Sequence, residues 1–282
     1  MTIHTHQTAP TQFVSINGIR FAYRRFGAKS SVPLVFFQHF MGNLDDHDSA
    51  LTDAFAADRE VILFNNAGVA SSTGTTPNTI EQAARDAEAF IDALGLSTVD
   101  LLAHSMGGLI AQQVALDRPE LARRLVLIGT APRGGEGLGE LPPDIEALFF
   151  KKYEHQEEMW LPILFTPSEA SQAAGHAYLA RITARKDQDV EVSMETVQAQ
   201  AAAIAAYGAE KDKTYAHLKE LRQPTLVVNG NNDIIIPTIN SYLLQQHIPN
   251  AQLILYPDAN HGAHHQYPEL FVQHAKLFLD AE

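Results

Sequence analysis

The chain has 282 residues, 45% of them apolar, so it is long enough to bury a substantial core and to carry a catalytic site. Its 33 acidic and 20 basic residues give a formal charge of −13, which disfavours nucleic acid and anionic membrane surfaces as partners. The lack of cysteine excludes disulfides and thiol chemistry. With no signal-peptide pattern and no apolar run near the roughly 20 residues of a membrane span, we expect a soluble cytoplasmic protein.

The first part of the chain predicts a loose segment followed by a hairpin. Residues 1–12 are polar and show no periodicity, as chain ends often do. Two short apolar runs, 13–16 and 19–23, are joined by Asn17-Gly18, and this dipeptide favours the positive φ angles of a tight turn. We therefore expect the two runs to pair as antiparallel strands.

Apolar runs typical of buried strands then alternate with segments of helical periodicity. The strands are predicted at 34–37, 61–64, 99–103 and 125–129, and the helices at 48–58, 79–94 and 109–116. Because parallel strands need a crossover long enough to hold a helix, this alternation predicts a mostly parallel sheet.

The alternation of strands and helices stops after residue 129, because no apolar run typical of a strand follows until residue 225. Helices are predicted in this interval at 143–155, 168–186 and 192–207. Strands at 225–229 and 253–256 and helices at 240–247 and 268–279 then resume the earlier pattern. We therefore predict an α/β core made of residues 1–132 and 217–282, with residues 133–216 inserted as an all-helical lid.

One serine stands at a point where a strand is predicted to turn into a helix. The stretch 101–108 reads LLAHSMGG, with the small residues Ala103 and Gly107 two positions before and after Ser105. A serine on such a turn projects its hydroxyl above the sheet edge, which is the geometry of a nucleophile elbow. The G-x-S-x-G pattern of this motif has glycine where the chain has Ala103. We interpret Ser105 as a nucleophile.

A serine hydroxyl is a poor nucleophile unless a histidine takes its proton and a carboxylate orients that histidine. Asp233 lies in the turn after the strand 225–229, and His261 lies on the loop after the strand 253–256, so both are expected at the same sheet edge as Ser105. We predict Asp233 as the orienting acid and His261 as the general base. Asp258 is a second candidate for the acid, but three residues before the histidine it fits a turn residue better.

Two further histidines follow the predicted base. His264 and His265 are alternatives to His261, and together the three suggest a metal site. No carboxylate or cysteine is arranged around them in the sequence, so we predict no bound metal and no cofactor.

The order Ser105, Asp233, His261 on an alternating sheet resembles the α/β-hydrolase superfamily. The resemblance covers almost the whole chain. It implies an eight-stranded, mostly parallel sheet flanked by helices, with a helical cap inserted after the sixth strand. It also implies an oxyanion hole made by the backbone N–H groups of Phe40 and Met106.

The chain departs from this family at two further positions. Capped members usually read His-Gly where this chain has His39-Phe40, so a bulky side chain is expected beside the acyl site. Asn65 stands where many relatives carry aspartate, and the sequence suggests no mechanistic role for it.

The candidate pocket residues each have two interpretations. His39 and His104 flank the predicted oxyanion hole and are interpreted first as residues that pack and orient the loops. Aromatic residues of the insertion are interpreted first as its own core, with substrate contact as the alternative for both groups. These aromatic residues are Phe149, Phe150, Trp160 and Phe165. The candidate pocket residues drawn from the histidines and the aromatic residues are His39, His104, Trp160 and Phe165.

A serine in the elbow favours acyl transfer, since the similar dehalogenases and epoxide hydrolases carry aspartate there. The sequence therefore predicts a serine esterase or lactonase that forms an acyl-enzyme, with bulky or macrocyclic lactones of the macrolide type among its candidate substrates. The resemblance leaves two alternatives open, a carbon–carbon bond hydrolase of vinylogous diketones and a small-molecule receptor without turnover. It does not predict the oligomeric state.

Overall fold

The computed structural model describes residues 4–210 and 212–281, apart from the side chains of Phe150, Gln156 and Glu157. The predictions for residues 1–3 and for the Phe150 side chain therefore lie outside the described residues. The strands are β1 (Gln12–Ile16), β2 (Ile19–Gly27), β3 (Leu34–Phe37), β4 (Glu60–Phe64), β5 (Val99–His104), β6 (Ala122–Ile128), β7 (Thr225–Gly230) and β8 (Ala251–Tyr256).

These strands form one sheet in the order β1-β2-β4-β3-β5-β6-β7-β8. β2 runs antiparallel to β1 and β4, while the other neighbours are parallel. The α-helices of the described residues are α1 (Ser49–Ala56), α2 (Ile80–Ala93), α3 (Met106–Asp117), α4 (Pro143–Phe150), α5 (Trp160–Leu164), α6 (Glu169–Ile182), α7 (Met194–Gly208), α8 (Ile239–His247), α9 (Ala263–Gln266) and α10 (Pro268–Leu279). The predicted fold class, an eight-stranded and mostly parallel sheet flanked by helices, is confirmed.

The central strands are apolar throughout because helices cover both faces of the sheet. In β3, Leu34 and Phe36 belong to the apolar cluster that α1 and α10 complete. Val35 and Phe37 point the other way, into the cluster that contains residues of α2 and α3. Alternate residues of one strand therefore serve two separate cores.

Turn and capping residues in the sequence predict where several strands and helices begin or end. Asn17 and Gly18 have φ angles of 52° and 80°, and β1 and β2 pair as the predicted antiparallel hairpin. The Thr79 hydroxyl accepts a hydrogen bond from the N–H of Gln82 and so begins α2. The predicted helix 143–155 is too long, since Lys151 is extended with ψ 142° and α4 ends before it.

The short helices α5 and α9 were absent from the sequence prediction because one turn of helix carries no readable periodicity. No helix of the described residues combines the length and the apolar character that a bilayer crossing requires.

The helices α4 to α7 all lie between β6 and β7, and the described part of that interval holds no strand. Eight buried apolar residues from Met159 to Ile182 form a cluster of their own here. Arg181 in α6 binds both oxygens of Asp48 through Nε at 2.6 Å and Nη2 at 2.8 Å. The assignment of residues 133–216 as a lid stays a prediction.

The interpretation of the N-terminal residues as a loose segment is wrong for residues 4–11. His6 and Ala9 are buried, and Arg185 donates to the carbonyl oxygen of each at 2.9 Å. The N–H of His6 also donates to Asp53 Oδ1 at 2.6 Å. The segment is fixed by a partner far along the chain, which local sequence patterns do not reveal.

A fully buried cation lies in β2. Arg24 Nη1 donates to Asp45 Oδ1 at 2.6 Å, and the side chains are 0% and 8% exposed. The next residue, Arg25, pairs with Glu60 at 2.7 Å but is 33% exposed. Ion pairs that differ in burial differ in what their loss costs.

We predict that Arg24→Met lowers the free energy of unfolding by about 3 kcal/mol, because it leaves the Asp45 carboxylate buried without its main partner. The matched control, Arg25→Met, is expected to cost about 1 kcal/mol or less, since water screens its pair. Urea unfolding of both variants measures the difference. Equal losses for the two would show that burial does not set the strength of the Arg24 pair.

Burial, followed by the charge of Arg24, lowers the pKa of His6 to about 4 from an ordinary value of 6.5. Between these values the unfolded chain binds a proton that the folded chain excludes, so stability is lost as pH falls from 6.5 to 4. At about 1.4 kcal/mol per pH unit the loss reaches roughly 3 kcal/mol. We expect the unfolding free energy of His6→Gln to fall less over this pH range, by about that amount, and that of the exposed control His176→Gln to follow the wild type. Urea unfolding at several pH values measures these free energies. Parallel pH curves for the wild type and His6→Gln would contradict the assignment.

Candidate active site

The turn between β5 and α3 is sharply strained. Ser105 has φ 56° and ψ −121°, a conformation that side chains with a Cβ rarely adopt, and it directly precedes the helix. Its N–H donates to the carbonyl oxygen of Ile128 in β6 at 2.9 Å. The structure therefore places Ser105 on the strand-to-helix turn expected of a nucleophile elbow.

Two glycines let the first turn of α3 sit close to its neighbours. A Cβ on Gly107 would lie 2.4 Å from the carbonyl oxygen of Phe37, and one on Gly108 would lie 2.6 Å from the Thr130 side chain. Both distances are too short for any other residue. The small residues after the serine are thus required by the packing.

The residue that departs from the motif, Ala103, is fully buried in β5 between Phe37 of β3 and Leu127 of β6. Its methyl group belongs to the larger apolar cluster of the sheet. The structure gives this alanine a packing role, and the turn at Ser105 forms without glycine there.

The predicted acid and base are hydrogen-bonded. His261 Nδ1 donates to Asp233 Oδ2 at 2.8 Å, and neither side chain is more than 4% exposed. The other Asp233 oxygen accepts from the N–H groups of Ile235 and Ile236, both at 2.9 Å. An imidazole that donates through Nδ1 carries its lone pair on Nε2, where a general base needs it.

Further contacts fix the loop that carries His261. Asn260 Oδ1 accepts from the N–H of His261 and from that of Ile234, each at 2.9 Å, and so joins the base loop to the acid loop. His104 Nε2 donates to the carbonyl oxygen of His261 at 3.1 Å. The imidazole position is therefore defined from both sides.

The loop after β3 is shaped by Gln38. Its side chain accepts from the N–H of His39 at 2.9 Å and donates to the carbonyl oxygen of Asn43 at 3.1 Å. His39 Nδ1 donates to the carbonyl oxygen of Phe40 at 2.8 Å, and burial lowers the pKa of His39 to about 3, so this imidazole is neutral. Within the described part of the chain, the N–H groups of Phe40 and Met106 have no protein acceptor. They are therefore available to an oxyanion.

An apolar cavity of about 310 Å³ lies above the sheet edge, and Ser105 and His261 both face it. His39, Phe40 and Met106 line the same side. The remaining lining residues come from α3, from the loop after Asp233 and from the insertion: Leu109, Leu138, Gly139, Glu140, Leu141, Glu146, Phe149, Trp160, Ile163, Leu164, Ala201, Ile204, Ile235 and Ile236.

Two of the four predicted pocket residues lie outside this lining, while His39 and Trp160 belong to it. His104 is buried behind the cavity, its ring 4.8 Å from that of His261. Phe165 follows α5, is 1% exposed and packs against Tyr178 at 5.8 Å in the core of the insertion. Ile235 and Ile236 also line the cavity and are not among the residues predicted from the sequence, although the apolar run directly after Asp233 is a signal that points to them.

The structure gives Asn65 a role that the sequence did not suggest. Its Nδ2 donates to Asp189 Oδ2 at 2.6 Å, and the Ser71 hydroxyl donates to the same oxygen at 2.9 Å. An aspartate at position 65 would put two carboxylates at hydrogen-bonding distance. The amide instead ties the loop after β4 to the insertion.

The alternative acid and bases occupy other places. Asp258 accepts from the hydroxyls of Thr166 and Ser168 at 2.8 and 2.6 Å and so anchors the insertion to the loop after β8. His264 and His265 are buried in α9, and neither lines the apolar cavity. Of the three neighbouring histidines, only His261 faces it.

A family model described as the α/β hydrolase fold matches residues 32–268. The solved structure of an α/β hydrolase fold protein from Chitinophaga pinensis has a TM-score of 0.93 and 40% identity, covering 99% of this chain and 100% of that one. The structure of Est816, described as an N-acyl homoserine lactone degrading enzyme, has a TM-score of 0.72 and 25% identity, covering 95% and 100%. The poly(3-hydroxyalkanoate) depolymerase of Ectopseudomonas oleovorans is 30% identical over 84% of this chain and 80% of its own.

Gly129 supports the imidazole of His261. It has φ 50°, and a Cβ there would lie 3.1 Å from His261 Nδ1, so Gly129→Ala must displace the ring by a few tenths of an ångström. Gly95 has φ 71° and open space around it, which makes Gly95→Ala a control with the same backbone strain. Each substitution should cost about 1 kcal/mol of stability.

We expect Gly129→Ala alone to slow the labelling of Ser105 by a fluorophosphonate, about tenfold, because misplaced catalytic groups lose rate steeply. The labelling rate is measured by mass spectrometry, alongside urea unfolding of both variants. Equal labelling rates for Gly129→Ala and Gly95→Ala would show that Gly129 does not position His261.

Proposed function

Because the chain belongs to the α/β-hydrolase fold family, we propose that it is a serine hydrolase that cleaves carboxylic esters or lactones through an acyl-enzyme intermediate. The observation that carries the proposal is the joint exposure of Ser105 and His261 to one apolar cavity, with His261 held by the buried Asp233 at 2.8 Å. A serine, a histidine and a carboxylate in this relation form the machinery of acyl transfer.

In the proposed first step, Ser105 Oγ attacks the acyl carbonyl carbon while His261 Nε2 takes the hydroxyl proton. The N–H groups of Phe40 and Met106 stabilise the oxyanion, and Asp233 stabilises the imidazolium. Collapse breaks the carbon–oxygen bond, and His261 returns the proton to the leaving alcohol. Water, deprotonated by His261, then attacks the acyl-enzyme, and Ser105 regains its proton as the acid leaves.

The cavity favours an apolar acyl group of small to medium size. Its volume of about 310 Å³ is at the lower end of small-molecule sites, and most of its lining is aliphatic or aromatic. The ring centroids of Phe40 and Phe149 of the insertion are 5.8 Å apart, so these two side chains narrow the part of the cavity beside Phe40. Of a macrocyclic lactone, only a part fits inside, so such a substrate would place its acyl carbon in the cavity and the rest of its ring at the mouth.

The charged residues that line the cavity favour neutral substrates over anionic ones. Among the described lining residues there is no lysine or arginine, while Glu140 and Glu146 stand on the insertion side. A carboxylate-bearing substrate would find no cation to offset its desolvation. The related lactone-degrading and polyester-depolymerising proteins support ester chemistry on this fold.

We predict that the purified protein hydrolyses p-nitrophenyl esters of short to medium chain length and that Ser105→Ala lowers kcat by at least about 10⁴-fold. Asp233→Asn should lower kcat by roughly 10³- to 10⁴-fold, because the imidazole loses its correct tautomer. Exposed Ser97 provides the control, and Ser97→Ala should keep wild-type rates. Steady-state kinetics and phosphonate labelling measure these effects.

Three results would overturn the proposal. Turnover that persists in Ser105→Ala would remove the serine from the chemistry. Absence of both turnover and labelling in the wild type would favour a small-molecule receptor on the same fold. Cleavage restricted to vinylogous diketones would replace the ester assignment by carbon–carbon bond hydrolysis.

A further inference from the structure

A second cluster of chemistry-bearing side chains lies behind the apolar cavity. His104 ends β5, and His264 and His265 lie in α9; all three are buried. Each offers a ring nitrogen, and the three nitrogens lie within 4.8 Å of one another. The ring centroids of His104 and His264 are 4.4 Å apart. Such a triangle matches the three-imidazole sets that hold transition metals in proteins.

A small cavity of about 20 Å³ adjoins the triangle, and all three histidines line it. This is room for one particle of the size of a water molecule or a metal ion. Among the described residues, it shares no lining residue with the larger apolar cavity that Ser105 and His261 face. The cluster is therefore a separate site.

Neighbouring acceptors fix the tautomer of two of the three rings. His104 Nε2 must be the donor to the carbonyl oxygen of His261, and His265 Nδ1 must be the donor to the carboxylate of Asp48 at 3.2 Å, since neither acceptor has a proton to give. The lone pairs then lie on His104 Nδ1 and His265 Nε2. Metal-binding histidines commonly donate their other N–H to a carbonyl or a carboxylate in this way.

The third histidine has a buried polar atom without a protein partner. His264 Nδ1 makes no hydrogen bond within the described residues, and the residue is only 2% exposed. His47 Nε2 lacks a partner as well, and His47 lines the same small cavity. A buried polar atom left unsatisfied is costly, so these nitrogens indicate a bound species.

We propose that His104, His264 and His265 bind one transition-metal ion, with Zn²⁺ as the matching choice. Neutral imidazole ligands suit Zn²⁺, Cu²⁺ or Ni²⁺ and do not suit Ca²⁺ or Mg²⁺, which take oxygen ligands. No metal is predicted from the sequence, because no carboxylate or cysteine is arranged around His264 and His265 there. The fold brings Asp48 to His265 from more than 200 residues away, and Arg181 holds that carboxylate in place.

The ion would join the two segments that carry the proposed nucleophile and base. His104 directly precedes Ser105, and His264 follows His261 by three residues. A bound ion would therefore fix β5 to α9 beneath the active site. This site does not depend on the proposed hydrolysis, and its test uses no enzymatic readout.

The test measures Zn²⁺ in the full chain, stripped with chelator and refolded with Zn²⁺ before dialysis. Elemental analysis should find one Zn²⁺ per chain in the wild type and in the surface control His176→Gln. Substitution of a ligand, His264→Gln, should abolish retention. Asp48→Asn leaves the three proposed ligands in place but removes the carboxylate that both His265 and Arg181 bind, and it should weaken binding by roughly ten- to 100-fold.

X-ray absorption of the wild-type zinc complex keeps the proposal falsifiable when a variant fails to fold. The expected spectrum has about three imidazole ligands at roughly 2.0–2.1 Å. Wild-type protein that retains no Zn²⁺ would show that the three histidines do not bind this ion, and the proposal would be wrong. Equal retention by folded His264→Gln, or a spectrum of oxygen ligands alone, would place the ion elsewhere and overturn it as well.

Discussion

The close approach of α3 to the ends of β3 and β6 is the constraint on which the candidate active site depends. Gly107 and Gly108 allow it, because any Cβ at either position would overlap Phe37 or Thr130. With the helix so close, the turn before it has no room for a relaxed conformation, and Ser105 takes its strained backbone angles. The same approach brings the backbone N–H of Met106 next to the loop that carries Phe40.

Local sequence signals predicted the parts of the fold that local physics determines. The Asn17-Gly18 turn, the apolar strands and the Thr79 cap each depend on neighbours within a few residues. The order of Ser105, Asp233 and His261 was readable because each follows the carboxyl end of a predicted strand. Strand ends of a parallel sheet meet at one edge, so the sequence sufficed to bring the three together.

Contacts between distant segments were beyond sequence reasoning. The N-terminal residues looked loose because Arg185, which binds their carbonyl groups, lies about 180 positions away. For Phe165 the sequence left two interpretations open, the core of the insertion and substrate contact, and only the contact with Tyr178 of α6 decides for the core. Asn65 acquired a role only with Asp189 in place. In each case a partner from the insertion decided the outcome.

The hydrogen bonds between Asp258 and the hydroxyls of Thr166 and Ser168 determine which parts of the insertion are coupled to His261. They join the residues just before α6 to the loop that carries His261, so a substitution at Thr166 or Ser168 is expected to shift that loop. Residues of the segment 138–149 line the cavity but carry none of these anchors. The shape of the cavity can therefore change in that segment without moving His261.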